Sequence, residues 1–107
     1  MVNATFKHVC QLIKSRQIRV SAHGYAQFAK RGILAADITT GALQGEAIED
    51  YPEAHYGPSV LILQTDPKGK PVHVVWGIEK GTTGPAVIVT AYYPNPAEWT
   101  ADFRSRK

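Results

Sequence analysis

The side chains with the most chemical reach in this sequence sit in one short stretch: His23, Gln27, Lys30 and Arg31. At ~100° per residue they fall within roughly a quarter of a helix's circumference. An imidazole can give or take a proton under physiological conditions. A guanidinium grips a phosphate with two parallel bonds and can stabilise its transition state, whereas lysine offers only a point charge. Gln27 adds hydrogen bonding without charge. Plainer roles fit the same residues: His23 hydrogen-bonded to the helix start, and Arg31 as a cation placed well at a helix C-terminus.

A second set is His73, Thr90 and Tyr92. Along a strand, alternate residues share a face. His73 then lies with Val75, and Ile88, Thr90 and Tyr92 lie together on the last strand. On an uncovered sheet face the three polar residues form a patch that receives a substrate, with Tyr92 stacking on a base or donating to a phosphate. The competing reading is a hydrogen-bonded core network around His73. Trp76 and Trp99 read as packing.

Other chemistries lack their residues. Gly81-Thr82-Thr83-Gly84 has neither the lysine nor the helix of a phosphate loop. His8, His23, His55 and His73 show no metal-ligand spacing, and a single cysteine makes neither an internal disulfide nor a cysteine-rich zinc site. Cys10 reads as packing, no serine sits in a nucleophile elbow, and no carboxylates pair as acid and base. No metal and no cofactor are expected.

The elements that must position these residues follow from period and turn chemistry. Ala4 to Arg16 reads as an amphipathic helix with Phe6, Val9, Cys10 and Ile13 on its apolar side. Ile18 to Val20 is extended. Ser21 caps a second helix, Ala22 to Arg31, which Gly32 ends. Ala35 to Leu43 is a weaker third helix, with Ile38, Ala42 and Leu43 packing. The period then changes to two. Glu46 to Tyr51, Ser59 to Thr65, Val72 to Glu79 and Ala86 to Tyr93 read as strands joined by short turns, which favours an antiparallel meander. Asp66-Pro67-Lys68-Gly69 fits a type I turn. Asn95-Pro96 breaks the last strand, and Ala97 to Arg104 reads as a short final helix with Trp99 and Phe103 folding back. The expectation is an α+β fold: two or three N-terminal helices packed on a four-stranded antiparallel sheet.

The chain has 107 residues, of which 44% are hydrophobic and 20% charged, which suits one folded domain over residues 1–107 and excludes a disordered chain. No apolar run approaches ~18 residues and no secretory leader is visible, so the expected setting is cytoplasmic, with no membrane partner. Net charge is +3. Its distribution says more. Met1 to Ala36 holds Lys7, Lys14, Arg16, Arg19, Lys30 and Arg31 and no acid. Asp37 to Asp66 holds Asp37, Glu46, Glu49, Asp50, Glu53 and Asp66 and no lysine or arginine. The basic third suits an RNA backbone or an acidic protein, or neutralises the acidic middle of its own fold. Nothing points to DNA.

Read in order, five short motifs stand out: Ser21-Ala-His23 running on to Arg31-Gly32-Ile33, Tyr51-Pro52, Pro71-Val-His73, Thr90-Ala-Tyr92-Tyr93-Pro94, and Trp99. Over about Ile18 to Trp99 they resemble DUF4258, a family of small bacterial domains of unknown function. That family is similar in expected shape to RelE-like and barnase-like ribonuclease toxins, which place helices against an antiparallel sheet and cut RNA on its exposed face. The resemblance implies an endoribonuclease that needs no metal, in which a ribose 2′-OH attacks the adjacent phosphate. His23, Arg31, His73 and Tyr92 would be its catalytic set, and Gln27, Lys30 and Thr90 would bind substrate. It also implies RNA or the ribosome as target and an antitoxin protein as inhibitor. One position departs: Gln27 stands where the family commonly has arginine, which removes a phosphate-binding charge. That departure favours the alternative, a non-enzymatic module that binds RNA or protein through the same basic helix face. In a third reading every matched residue is structural.

Overall fold

The spacing of Phe6, Val9, Leu12 and Ile13 puts apolar side chains on one side of a helix. In the computed structural model, which describes residues 3–107, α1 spans Ala4–Lys14 and buries Val9, Leu12 and Ile13. The Asn3 side chain caps it, accepting from the Phe6 N–H at 2.8 Å. The helix stops short of Arg16, which turns into the left-handed region with φ 61°. Leu12 belongs to the buried stripe, while Cys10 is only half-buried.

β1 (Ile18–Val20) leads into α2 (Ala22–Lys30) and α3 (Ala35–Ala42). Ser21 caps α2 as expected, its Oγ accepting from the Gly24 N–H at 2.9 Å. Gly32, at φ 74°, turns the chain out of α2. α3 ends before Leu43, whose side chain stays exposed instead of packing.

β2 (Glu46–Tyr51), β3 (Ser59–Thr65), β4 (Pro71–Ile78) and β5 (Ala86–Tyr92) form the expected antiparallel meander. The sheet itself corrects the expectation. It has five strands in the order β1-β5-β4-β3-β2, and β1 pairs parallel to β5, so it is mixed rather than four-stranded and antiparallel. The extended segment Ile18–Val20 finds the free edge of β5, where Ile18, Arg19 and Val20 meet Ala86, Val87 and Ile88. The fold is α+β, with three helices and a five-stranded mixed sheet.

One sheet face carries the core. Val60 and Ile62 of β3, Val72, Val74, Trp76 and Ile78 of β4, and Ala86, Ile88 and Ala91 of β5 pack with Val9, Phe28 and Ile38 from the helices. Gln64 ties this face to α3. It accepts from the Trp76 indole at 3.0 Å and donates to the Ile38 carbonyl at 2.8 Å. No helix among the described residues is long and apolar enough to cross a membrane.

The other face is covered too. Leu61 and Val87 project there and are each 1% exposed. Tyr56, before β3, accepts from Arg19 of β1 at 2.9 Å. At the opposite end lies the C-terminal segment. The expected helix over Ala97–Arg104 does not form. Residues 98–107 instead make a tight reversal: Lys107 N–H donates to the Glu98 carbonyl, Thr100 N–H to the Ser105 carbonyl, and Trp99 bridges Arg106. Phe103, at φ 60°, sits in the bend, a conformation no right-handed helix admits.

Two bulges set which residues share a face. β2 leaves Ile48 unpaired between Ala47 and Glu49, so Glu46 and Glu49 project from the same side although three residues apart. β5 leaves Val89 unpaired between Ile88 and Thr90. Ile88 therefore faces the core, while Thr90 and Tyr92 face the other side with Val75 and His73. The expected sharing of one face by Ile88, Thr90 and Tyr92 fails on that extra residue.

Candidate functional site

The bulge at Val89 also positions α2. It turns the Val89 carbonyl outward, where Ser21 Oγ donates to it at 3.1 Å, while the Ser21 N–H donates to the Ile88 carbonyl. A β-carbon on Gly24 would lie 2.3 Å from that Val89 oxygen, so only glycine permits the approach. α2 thus continues the edge that β1 began. Further along, Arg31 Nη1 donates to the Ala91 carbonyl at 2.8 Å.

Rotation about the α2 axis then fixes the rest. Starting from Phe28 in the core, Gly24 and Arg31 come next and meet the β5 edge. Gln27 and His23 follow at ~100° per residue, on the side of the sheet that carries Thr90 and Tyr92. His23, Lys30 and Arg31 are exposed, and Gln27 is half-buried.

Hydrogen bonds join three of these residues into a row. Arg31 Nη2 approaches Gln27 Oε1 at 3.5 Å, so the amide presents its Nε2–H₂ to the imidazole. Gln27 Nε2 lies 3.0 Å from His23 Nε2 and donates to it, which places the ring proton of neutral His23 on Nδ1. Lys30 is not joined to this row by a hydrogen bond. The row offers an imidazole, an amide and a guanidinium along one exposed, acid-free helix side.

His73 stands apart from that row. It is 0% exposed. Nε2–H donates to the Phe103 carbonyl at 2.9 Å, which leaves Nδ1 to accept from the Tyr92 hydroxyl at 3.3 Å. Tyr92 packs edge-on at 5.4 Å and Trp99 at 4.3 Å between ring centroids. Burial is the main cause that pulls the His73 pKa below the ordinary imidazole value, and burial raises that of Tyr92. This is the hydrogen-bonded network that competed with the open patch in the sequence. Thr90 and Tyr92 are half-buried beside it.

The cover over His73 is held to β2 by charge. Arg106 meets Glu49 in a two-pronged pair, Nε to Oε2 at 2.8 Å and Nη2 to Oε1 at 3.0 Å, and Arg104 pairs with Glu46. Arg106 also lies over the Trp99 ring at 4.7 Å. The Tyr51 hydroxyl donates to Glu49. The Arg106 bonds hold the Glu49 carboxyl below its ordinary pKa, while burial and then the Glu49 bond push the Tyr51 phenol up to about 12. Sequence reading missed Glu49, Phe103 and Arg106 as neighbours of His73. Beyond the expected folding back of Trp99 and Phe103, the available signal was Arg104-Ser-Arg106, a spacing that suits alternate positions of an extended segment.

Among the described residues no group of three or more His, Cys, Asp or Glu side chains gathers as a metal site would require.

A family model covers residues 20–93, from the end of β1 to just past β5. The chain belongs to the DUF4258 family, a domain of unknown function. Comparison with curated proteins and with solved structures found no match. The DUF4258 segment contains the whole α2 row, His73, Thr90 and Tyr92. It excludes α1 and the C-terminal cover.

Proposed function

We propose that this DUF4258 protein acts on RNA as an endoribonuclease of the RelE-like toxin type, with the exposed side of α2 as its working surface. The observation that carries the reading is the linked row His23–Gln27–Arg31 on a helix side free of acid. An RNA strand laid along it meets the Arg31 guanidinium and the Lys30 ammonium together at one end and the His23 imidazole about two turns away. Arg31 and Lys30 hold the non-bridging phosphate oxygens. The 2′-oxygen attacks the adjacent phosphorus, and its proton passes to His23 Nε2 once the substrate hydroxyl displaces the Gln27 amide. The P–O5′ bond breaks, the 5′-oxygen takes a proton from solvent, and a 2′,3′-cyclic phosphate remains. An antitoxin protein that covers the same basic side would silence it.

Two observations favour a second reading, a module that binds RNA without cutting it. The Gln27 amide occupies the His23 lone pair, and His73 is sealed from solvent. Incubation with single-stranded RNA separates the two readings, using wild type beside folded His23→Ala and Arg31→Ala variants. Cleavage that both variants lose supports the nuclease. Salt-dependent binding without cleavage supports the module. An absence of both sinks the RNA reading.

A further inference from the structure

The face of β4 and β5 beneath residues 94–107 is a closed extension of the α2 surface. Thr90 and Tyr92 stand on it, flanking Ala91, whose carbonyl Arg31 of the α2 row reaches, and His73 lies next to Tyr92 across the β4–β5 pair. What fills it comes from outside the family segment, which ends at residue 93. Trp99 presents an aromatic ring to the His73 imidazole at 4.3 Å, and the Phe103 carbonyl accepts the His73 Nε2–H at 2.9 Å. A ring plus a hydrogen-bond acceptor is also what an unstacked nucleobase offers. The filler is fastened at its far side by Arg104–Glu46 and Arg106–Glu49, whose arginines are 51% and 62% exposed.

We propose that the His73–Tyr92 face is a nucleobase subsite for single-stranded RNA, and that the C-terminal strap occupies it as an internal stand-in for the base. The proposal rests on the RNA reading above and adds its regulation. With the strap docked, RNA reaches only the α2 row. With the strap lifted, a base takes the place of Trp99 beside His73 and accepts the Nε2–H that Phe103 holds. The charge matching shows where the strap lets go: Glu46 and Glu49 share a face through the Ile48 bulge, and Arg104 and Arg106, two apart, meet them in step.

The test uses the full chain carrying Arg104→Glu and Arg106→Glu, which sets like charges against Glu46 and Glu49. Two readouts are taken. Carbethoxylation of His73 by diethyl pyrocarbonate, located by mass spectrometry, reports strap opening without RNA. Affinity for a fluorescein-labelled uridine dodecamer reports the subsite, against the charge-matched control Lys68→Glu with Lys80→Glu, two exposed lysines outside the basic N-terminal third. The expected result is a reactive His73 and binding about tenfold tighter than the control, as one base stacked on an aromatic side chain would add. His73→Leu in the opened background, which lacks both the ring and the N–H, removes that gain. A reactive His73 with no gain in affinity overturns the subsite and leaves RNA binding by α2 intact. If neither the wild type nor the opened protein binds the dodecamer, the RNA reading and the subsite fall together. Where the arginine reversals leave His73 unreactive, Glu46→Lys with Glu49→Lys repels the strap from the sheet side. A His73 unreactive in both overturns the strap as a gate.

Discussion

Arg31 Nη1 reaches the Ala91 carbonyl at 2.8 Å, across 60 positions of sequence. The bond satisfies a carbonyl on the β5 edge beyond the reach of β1 and clamps the last turn of α2 to the sheet. A guanidinium has five N–H groups, so this anchor still leaves donors for an anion. Arg31 therefore does two jobs, and they separate by substitution. Arg31→Ala lowers stability by about 1–2 kcal/mol, the worth of a partly exposed hydrogen bond from a charged donor. For a chain of this size that lowers Tm by roughly 4–8 °C per kcal/mol. Calorimetry checks it; an unchanged Tm would mean the Ala91 bond holds nothing.

Gln27 is the link between Arg31 and His23, and it carries no charge. Gln27→Arg adds a cation to an exposed helix side, so RNA affinity rises and its logarithmic salt dependence steepens by about one contact. Fluorescence titration of labelled RNA at several salt concentrations measures the slope. An identical slope in variant and wild type would place Gln27 off the RNA path.

Much of this was legible locally. The apolar phase of Val9 and Ile13, the Ser21 cap and the Gly32 exit fixed α1 and α2 because each acts within a few residues of itself. The misses share one cause. Nothing in Ile18-Arg-Val20 names its partner, since β5 lies nearly 70 residues later. A bulge is a single extra residue, and after Val89 it moves Thr90 and Tyr92 to the face opposite Ile88. Burial of His73 was decided by Trp99 and Phe103, from a segment whose helical composition was overridden by ion pairs to β2 and by the Phe103 bend.

His73 makes acid stability a readout of its burial. Its folded pKa lies below the ordinary value of 6.5, chiefly through desolvation. Between those two values the unfolded chain binds more protons, so stability rises with pH there. Expected behaviour is full stability above about pH 6.5, a decline as pH falls towards the folded pKa, and no further loss from this group below it. His73→Gln abolishes that window. It also disturbs the Phe103 and Tyr92 bonds, costing about 1–3 kcal/mol at neutral pH. Urea unfolding across the range tests both; a variant that keeps the wild-type slope would move the effect to another group.

Glu49 gives the complementary test, because its pairing is exposed on the Arg106 side and half-buried on its own. Arg106 lies mostly in solvent, so the ion pair adds no more than about 1 kcal/mol, and Glu49→Gln changes neutral stability little. Two pH regions respond instead. The Glu49 carboxyl is held below its ordinary value of 4.5 by Arg106, so the unfolded chain takes up its proton first on acidification. The wild type therefore loses this contribution as pH falls below about 4.5, and the variant has none to lose. At the alkaline end the Tyr51 phenol stands at about 12, raised first by burial and then by Glu49. Glu49→Gln removes the second cause and keeps the first, so Tyr51 ionises earlier yet still above its ordinary value of 10.0. Ultraviolet titration of variant against wild type isolates Tyr51, because the other tyrosines are common to both. Coincident alkaline curves would show that Glu49 does not accept the Tyr51 hydroxyl.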